Sequence, residues 1–80
     1  MKNVGKYLKR VREDLNLTQE EVGTSLKIGR DAIIRIESGK RKVSAEELNM
    51  FSKLYNISLD EILNSQKKID NLKEIILAGG

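Results

Sequence analysis

The stretch TQEEVGTSLKIGRDAIIRIE, residues 18–37, decides the fold because it contains two short helical patterns with almost nothing between them. In each pattern, aliphatic residues recur at intervals of three or four and so share one face of a helix. Only Lys27-Ile28-Gly29 separates the two patterns. Two helices joined by so tight a turn form a helix-turn-helix motif, which presents its second helix on the surface. The predicted inward residues are Val22, Leu26, Ile33 and Ile36.

Three helix starts carry the same local signature, a Ser or Thr followed three residues later by Glu, with an aliphatic residue on either side. The hydroxyl can accept a hydrogen bond from the third amide of the helix, while the Glu accepts one from the amide of the cap residue. The flanking aliphatic residues then meet as a hydrophobic staple. The signature occurs in LTQEEV (17–22), VSAEEL (43–48) and ISLDEI (57–62). It predicts helix starts at Thr18, Ser44 and Ser58.

Apolar periodicity elsewhere completes five helices, with no strand-like alternation between them. The third helix is predicted from about Arg30 to Glu37, with Gly39 ending it, and the fourth stops near Asn56. We therefore predict an all-α fold. The predicted inward residues are Val4, Leu8, Val11 and Leu15 in the first helix, Leu48, Phe51, Leu54 and Tyr55 in the fourth, and Leu59, Ile62 and Leu63 in the fifth.

The composition argues against several classes of protein. The 80 residues include no cysteine and no histidine, which removes disulfides, thiolate metal sites and the commonest general base. The carboxylate pairs Glu20-Glu21 and Glu46-Glu47 lie at helix starts, where capping explains them. We therefore expect no enzyme activity, no catalytic residue, no metal and no cofactor. No apolar run approaches the roughly 20 residues of a membrane span, so we expect a cytoplasmic protein that does not bind membranes.

Positive charge is concentrated in the first half of the chain. Residues 1–42 carry 11 basic and 6 acidic side chains, whereas residues 43–80 carry 4 basic and 6 acidic ones. This asymmetry suggests a polyanionic partner for the first half, although solvated surface charge would give the same count. The positions of the charged residues on the predicted helices distinguish a polyanion-binding surface from ordinary solvated charge.

The outward face of the third helix suits the major groove of duplex DNA. Because the isoleucines at 33 and 36 point inward, the step of about 100° per residue turns the charged residues outward. An outward Ile34 between two arginines fits a thymine methyl group, and the arginines can bond guanine O6 and N7. Asp31 can accept a hydrogen bond from cytosine N4, or it can simply offset the dipole of the helix start. The residues predicted to point outward are Arg30, Asp31, Ile34 and Arg35.

The basic turn Lys40-Arg41-Lys42 follows this helix and is predicted to lie along the phosphate backbone, where it positions the protein without reading sequence. Gln19, at the start of the second helix, can add a neutral hydrogen bond to a phosphate, helped by the N-terminal amides of that helix. Charge and spacing together therefore favour double-stranded DNA as the partner.

The sequence resembles the lambda-repressor-like helix-turn-helix family of Xre and Cro type regulators. The resemblance is clearest in the segment TQEEVGTSLKIGRDAIIRIESGKRKVSAEELNMFSKLYNISLDEIL. The resemblance covers residues 5–64 and includes the Thr-Gln-Glu-Glu opening and the Arg-Ile-Glu-Ser-Gly end of the third helix. It implies a compact five-helix DNA-binding domain at residues 1–64, with the helix-turn-helix at about 18–37. It also implies a dimer on pseudo-palindromic operators, in the nucleoid of a prokaryote or acting for a phage.

The resemblance also assigns roles to individual residues. A buried ion pair between the first and third helices is implied for Arg12 and Glu37, so Glu37 is not expected to be a catalytic acid. Base or near-base contacts are implied for Arg30, Asp31, Ala32, Ile34 and Arg35. Backbone contacts are implied for Gln19, Ser38, Lys40 and Lys42, to which the position of the basic turn adds Arg41.

The turn of the motif departs from the family pattern at two positions. Lys27 stands where the family often has Gly, and a left-handed conformation there would cost about 1 kcal/mol. Gly29 stands where the family often has Ser, so a capping side chain is lost. Gly23 is read as a packing residue that lets the two helices approach closely.

Residues 65–80 are predicted to form an amphipathic helix or a linker. Their apolar stripe can pack on the domain, pair with its copy in a dimer, or lead to a further part of the protein. The stripe consists of Ile69, Leu72, Ile75 and Ile76.

Two functions are compatible with these features. The first is a sequence-specific regulator of transcription, most simply a repressor that binds its operator as a homodimer. The second is an antitoxin or a regulator controlled by a partner, in which residues 65–80 bind another protein.

Overall fold

In the computed structural model, the described part of the chain is residues 4–65, and every regular element in it is a helix. The first four helices are α1 (Val4–Asp14), α2 (Gln19–Leu26), α3 (Arg30–Glu37) and α4 (Ala45–Tyr55). A fifth, α5, begins at residue 59 and is described as far as residue 65. The predicted all-α fold with five helices is confirmed. None of the described helices combines the length and the hydropathy that spanning a membrane requires. The predicted stripe of Ile69, Leu72, Ile75 and Ile76 lies outside the described residues.

The capping signatures start the helices where the sequence predicts. At α2, the Glu21 amide donates to Thr18 Oγ1 at 3.0 Å, and the Thr18 amide donates to Glu21 Oε1 at 2.9 Å. Ser44 and Glu47 exchange the same two bonds at the start of α4, at 3.0 and 3.1 Å. At α5, Ser58 Oγ accepts a bond of 3.0 Å from the amide three residues later. Local sequence therefore fixes these three starts.

Four helix ends share one geometry, in which a residue just past the last helical turn is left-handed. The amide of the next residue then donates to the carbonyl five residues before it, at 2.9–3.1 Å, so that a terminal carbonyl gains a partner. The left-handed residues are Asn16, Lys27, Gly39 and Asn56, with φ of 58°, 59°, 81° and 54°. Gly39 follows α3 as predicted. Glycine and asparagine adopt this conformation readily, whereas the Cβ of Lys27 opposes it.

The core lies between the helices and is built mainly from aliphatic side chains, with Phe51 and Tyr55 in α4 as its aromatic pair. Their ring centroids lie 5.5 Å apart. Val11 and Leu54 are partly buried against this core. The buried hydrophobic residues are Val4, Leu8, Val22, Leu26, Ile33, Ile36, Leu48, Phe51, Tyr55 and Ile62. Most of the predicted inward residues are therefore confirmed.

Three residues predicted to point inward are exposed instead. Leu15 is 46% exposed because α1 has already ended and the chain reverses at Asn16, so the helical spacing no longer applies to it. Leu59 and Leu63 are 38% and 39% exposed, whereas Ile62 is fully buried. The contact of α5 with the core is therefore narrower than its three aliphatic residues suggest.

Two glycines let the neighbouring helices approach α3 closely. A Cβ at Gly23 in α2 would lie 2.5–2.7 Å from backbone atoms of Gly29 and Arg30, which confirms its predicted packing role. A Cβ at Gly5 in α1 would collide with the carbonyl of Ile36, a contact that the sequence does not predict. The start of α3 is thus set by α2, and its end by α1.

Candidate nucleic-acid interface

The outward face of α3 carries the residues that the sequence predicts to read bases. The two isoleucines at 33 and 36 are 0% and 1% exposed, which fixes the rotation of the helix about its axis. The face of α3 opposite these isoleucines therefore carries two guanidinium groups, one carboxylate and one aliphatic side chain. Arg30, Asp31 and Arg35 are exposed, and Ala32 and Ile34 are partly buried.

The turn before α3 contains both departures from the family pattern. Lys27 has φ 59° and ψ 30°, so this residue adopts the left-handed conformation that is expected to cost about 1 kcal/mol. Gly29, the N-cap of α3, has φ 90° and ψ 161° and makes no side-chain cap. That region is open almost only to glycine, so a serine there would be strained by its own Cβ. The missing hydroxyl cap thus follows from the backbone of the turn, and Arg30 is the first helical residue after it.

A buried ion pair holds the far end of α3. Arg12 Nε donates to Glu37 Oε2 at 2.7 Å and Arg12 Nη2 donates to Glu37 Oε1 at 3.1 Å, with exposed fractions of 8% and 5% for the two residues. Arg12 Nη1 donates to the carbonyl of Leu17 at 2.8 Å. The hydrogen bond to Glu37 raises the pKa of Arg12 and keeps its guanidinium ionised despite burial. The pair therefore joins α1, the turn after it and α3.

Gln19, at the start of α2, belongs to the same network. Its Nε2 donates to Glu37 Oε1 at 3.1 Å, and the residue is partly buried. The sequence predicts a phosphate contact for Gln19 and gives no sign of this bond. A side-chain amide has two hydrogens, so the bond to Glu37 leaves the second one for another acceptor.

The turn after α3 presents exposed cations on a fixed backbone. Lys40 and Lys42 are exposed, as is Ser38. The amides of Lys40 and Arg41 donate to the carbonyl of Arg35 at 2.9 and 3.1 Å, and the Ser38 hydroxyl donates to the same oxygen at 3.1 Å. One carbonyl in the last turn of α3 therefore anchors the residues that follow.

Arg41 differs from its two lysine neighbours because it is partly buried and bonded to α4. Its Nη1 and Nη2 donate to Glu47 Oε1 and Oε2 at 2.9 and 2.8 Å, and Nη1 also donates to the carbonyl of Lys42 at 3.2 Å. The hydrogen bond from Arg41 lowers the pKa of Glu47 from 4.5 to about 2. The phosphate contact predicted for Arg41 stays a prediction, and in the structure its guanidinium is paired with the Glu47 carboxylate. Capping accounts for Glu47 in the sequence, so nothing there points to this second role.

These elements form a surface suited to a polyanion of fixed shape. An α-helix with its side chains is about 10–12 Å across, and the major groove of DNA is about 12 Å wide, so α3 fits it. Two exposed lysines, Lys40 and Lys42, follow α3, and cations beside a helix in the groove are suited to phosphate contacts. Among residues 4–65, no cluster of acidic side chains could hold a metal ion.

A family model described as "Helix-turn-helix" matches residues 8–62, which is more than half of the chain. The chain therefore belongs to the helix-turn-helix family of lambda-repressor-like, Xre-type DNA-binding regulators. This confirms the family that the sequence resembles.

Curated relatives come from several bacteria. The HTH-type transcriptional activator BcrR of Enterococcus faecalis is 36% identical in an alignment 76 residues long, and the match covers 85% of this chain and 37% of BcrR. The HTH-type transcriptional regulator ImmR of Bacillus subtilis is 32% identical over 65 residues, 81% of this chain and 51% of ImmR. The antitoxin PezA of Streptococcus pneumoniae is 28% identical over 71 residues, 89% of this chain and 45% of PezA. The chain thus spans between about a third and about half of the length of these relatives.

A solved structure shares the fold. The P22 c2 repressor protein, crystallised in complex with the synthetic operator 9T, superposes with a TM-score of 0.70 and 22% identity. The match covers 78% of this chain and 94% of that repressor chain. At this identity the likeness establishes the architecture.

Proposed function

We propose that this protein is a sequence-specific regulator of transcription that reads double-stranded DNA with the outward face of α3. The observation that carries the proposal is the exposure of Arg30, Asp31 and Arg35 on a helix whose rotation and ends are fixed by buried contacts. A fixed helix can hold its side chains in register with base edges, and arginine bonded to guanine O6 and N7 is the commonest specific contact in the major groove.

The other contacts divide between bases and phosphates. Ile34 and Ala32 offer apolar contact to thymine methyl groups. Ser38, Lys40 and Lys42 bind the phosphate backbone after α3, and the N-terminal amides of α2, with Gln19, bind it before α3.

A single recognition helix contacts too few base pairs to select one site in a genome. We propose a homodimer on a pseudo-palindromic operator, with half-sites about 34 Å apart, that represses by occupying the site that polymerase needs. BcrR is named as an activator, and a dimer bound beside a promoter rather than across it would act in that way.

Selection of binding sites from random duplex DNA by the full chain tests this function. We expect an inverted repeat whose half-site centres are one helical turn of DNA apart. Enrichment of an unpaired half-site would contradict the dimer, and the absence of any enriched sequence would contradict sequence-specific binding.

Arg35→Ala on the selected operator tests base reading. We expect binding to the operator to weaken by about 1–3 kcal/mol while binding to random DNA is spared, because the lost bonds are to base edges. Arg10→Ala is a matched control, since Arg10 is exposed on α1 outside the proposed interface. Equal losses on the operator and on random DNA would make Arg35 a phosphate contact.

An antitoxin or partner-controlled regulator is the second candidate, and the similarity to PezA favours it. In that case residues 65–80 bind another protein, and DNA binding is retained. Pull-down from the native host with the full chain and with a chain ending at residue 64 would separate the two functions. A partner captured only by the full chain supports the second candidate, and self-association through the same residues supports the first.

A further inference from the structure

The segment from Gly39 to Val43, between α3 and α4, is held at both ends. At its start, two successive amides donate to the Arg35 carbonyl. At its end, Ser44 is the N-cap of α4. Between these two ends lie Lys40 and Lys42, the lysines proposed to bind phosphate.

Arg41 bonds the middle of this segment to α4. Its guanidinium makes three hydrogen bonds of 2.8–3.2 Å, two to the Glu47 carboxylate and one to the Lys42 carbonyl. Glu47 Oε1 also accepts the Ser44 amide at 3.0 Å. Isolated surface ion pairs stabilise little, but bidentate arginine pairs within a network are the exception. The side chain of Glu47 is only 12% exposed and that of Arg41 is 37% exposed.

Burial alternates along the segment, which separates Arg41 from its neighbours. Arg41 and Val43 are partly buried, whereas Lys40 and Lys42 are exposed. The guanidinium of Arg41 is bonded to α4, while the lysines on either side of it face solvent.

We propose that Arg41 and Glu47 form a clamp that positions Lys40 and Lys42 on the phosphate backbone, and that Arg41 is a positioning residue rather than a phosphate contact. This inference rests on the proposed function. The clamp orders the backbone of the turn before DNA arrives, so the lysines lose less conformational freedom on binding.

The clamp, and the alternative in which Arg41 itself contacts phosphate, predict opposite effects of Glu47→Gln on the affinity for DNA. Glutamine at this position keeps the capping box but removes the charge that pairs with Arg41. With the clamp, binding to a short random-sequence duplex weakens by about three- to tenfold, because the turn that carries the two lysines must then be ordered when DNA binds. If Glu47 only withholds Arg41 from phosphate, the same change tightens binding.

Glu46→Gln is the control, since Glu46 is exposed in the same helical turn and its substitution changes the net charge equally. Binding equal to or tighter than that of the control overturns the clamp.

Two substitutions of Arg41 provide the second measurement. Arg41→Ala should weaken binding while the slope of log K against log salt concentration stays unchanged, because no phosphate contact is lost. Arg41→Lys should bind as weakly as Arg41→Ala, since an ammonium cannot replace the bidentate fork. A slope flattened by about 0.9 in Arg41→Ala, or rescue by lysine, would make Arg41 a phosphate contact and overturn the proposal.

Lys42→Ala separates a failure of the clamp from a failure of the proposed function. It should flatten the salt slope by about 0.9, and Lys53→Ala, which removes an exposed lysine from the last turn of α4, should leave the slope unchanged. An unchanged slope in Lys42→Ala removes the proposed interface. A flattened slope together with tighter binding of Glu47→Gln removes the clamp alone.

Discussion

Lys27 carries the clearest local strain in the described range. It is left-handed at φ 59°, at a position equivalent to those that Asn16, Gly39 and Asn56 fill at the other helix ends. At all four ends the following amide donates to the carbonyl five residues before it, so Lys27 differs from the other three in its side chain. The strain adjoins the start of α3, because Ile28, Gly29 and then Arg30 follow directly.

Lys27→Gly should therefore stabilise the fold by about 0.5–1 kcal/mol, after the greater freedom of glycine in the unfolded chain is counted. Urea unfolding of the two proteins measures the difference. Lys53→Gly, in α4, is the control and should destabilise by about 1 kcal/mol, since glycine is unfavourable inside a helix. A loss of stability in Lys27→Gly would show that this lysine makes a compensating contact.

Glu37 is the residue on which three elements meet, because its carboxylate accepts bonds from Arg12 in α1 and Gln19 in α2. Glu37→Ala leaves a buried guanidinium without its partner and should destabilise the fold by about 3 kcal/mol. Thermal melting measures the loss. The double substitution of Arg12→Met with Glu37→Leu should recover most of it, since a hydrophobic pair removes the buried charge. An unchanged melting curve with lost DNA binding would instead place Glu37 in the interface.

At the scale of elements, α3 is positioned by close backbone contacts rather than by side-chain volume. Gly23 brings α2 against the start of α3, and Gly5 brings α1 against its end. Any change in these spacings moves the outward face of α3 relative to α1 and α2. We therefore expect substitution of either glycine to weaken DNA binding, although neither lies in the proposed interface.

Gly5→Ala separates packing from helix propensity, because the two predict opposite signs. Propensity favours alanine inside α1 by about 1 kcal/mol, whereas the collision of its Cβ with the Ile36 carbonyl should cost more than that and destabilise the fold by about 2 kcal/mol net. Chemical unfolding decides the sign, with Lys6→Ala, an exposed neighbour on α1, as a near-neutral control. A stabilised Gly5→Ala would mean that α1 is not held against α3.

At the scale of the whole molecule, stability depends on carboxylates that are bonded only in the folded state. The pKa of Glu47 is lowered from 4.5 to about 2 by the hydrogen bond from Arg41, and that of Glu21 is lowered by its bonds with Thr18. A lowered pKa in the folded state gives stability that is present above the unfolded-state value and lost as the pH falls. Acid therefore weakens the capping boxes of α2 and α4 and the clamp together.

The contribution of Glu47 should be present above about pH 4.5 and lost as the pH falls toward about 2. We expect about 1–2 kcal/mol after screening by solvent is allowed for, since the pair is partly exposed. Unfolding free energies of the parent protein and of Glu47→Gln, measured across this range, should converge at the acidic end. A difference that does not change with pH would mean that the ion pair does not contribute.

Much of the fold and of the candidate site can be predicted from the sequence. The caps at Thr18 and Ser44 and the left-handed ends act through bonds that span at most five residues, so the chain encodes them wherever it lies. The same local encoding sets the rotation of α3, because Ile33 and Ile36 are the residues that must be buried. The choice of the outward residues as base contacts remains a prediction.

Only the tertiary structure decides which side chains from different elements meet. The exposure of Leu15 depends on where α1 ends, and the collision at Gly5 depends on where α1 crosses α3. The spacing of residues along the sequence determines neither of these positions. The bonds from Gln19 to Glu37 and from Arg41 to Glu47 likewise join partners that are not one helical turn apart on one helix. Hydrogen bonds at helix ends are determined within one turn of chain, whereas buried pairs and close crossings depend on the packing of whole helices.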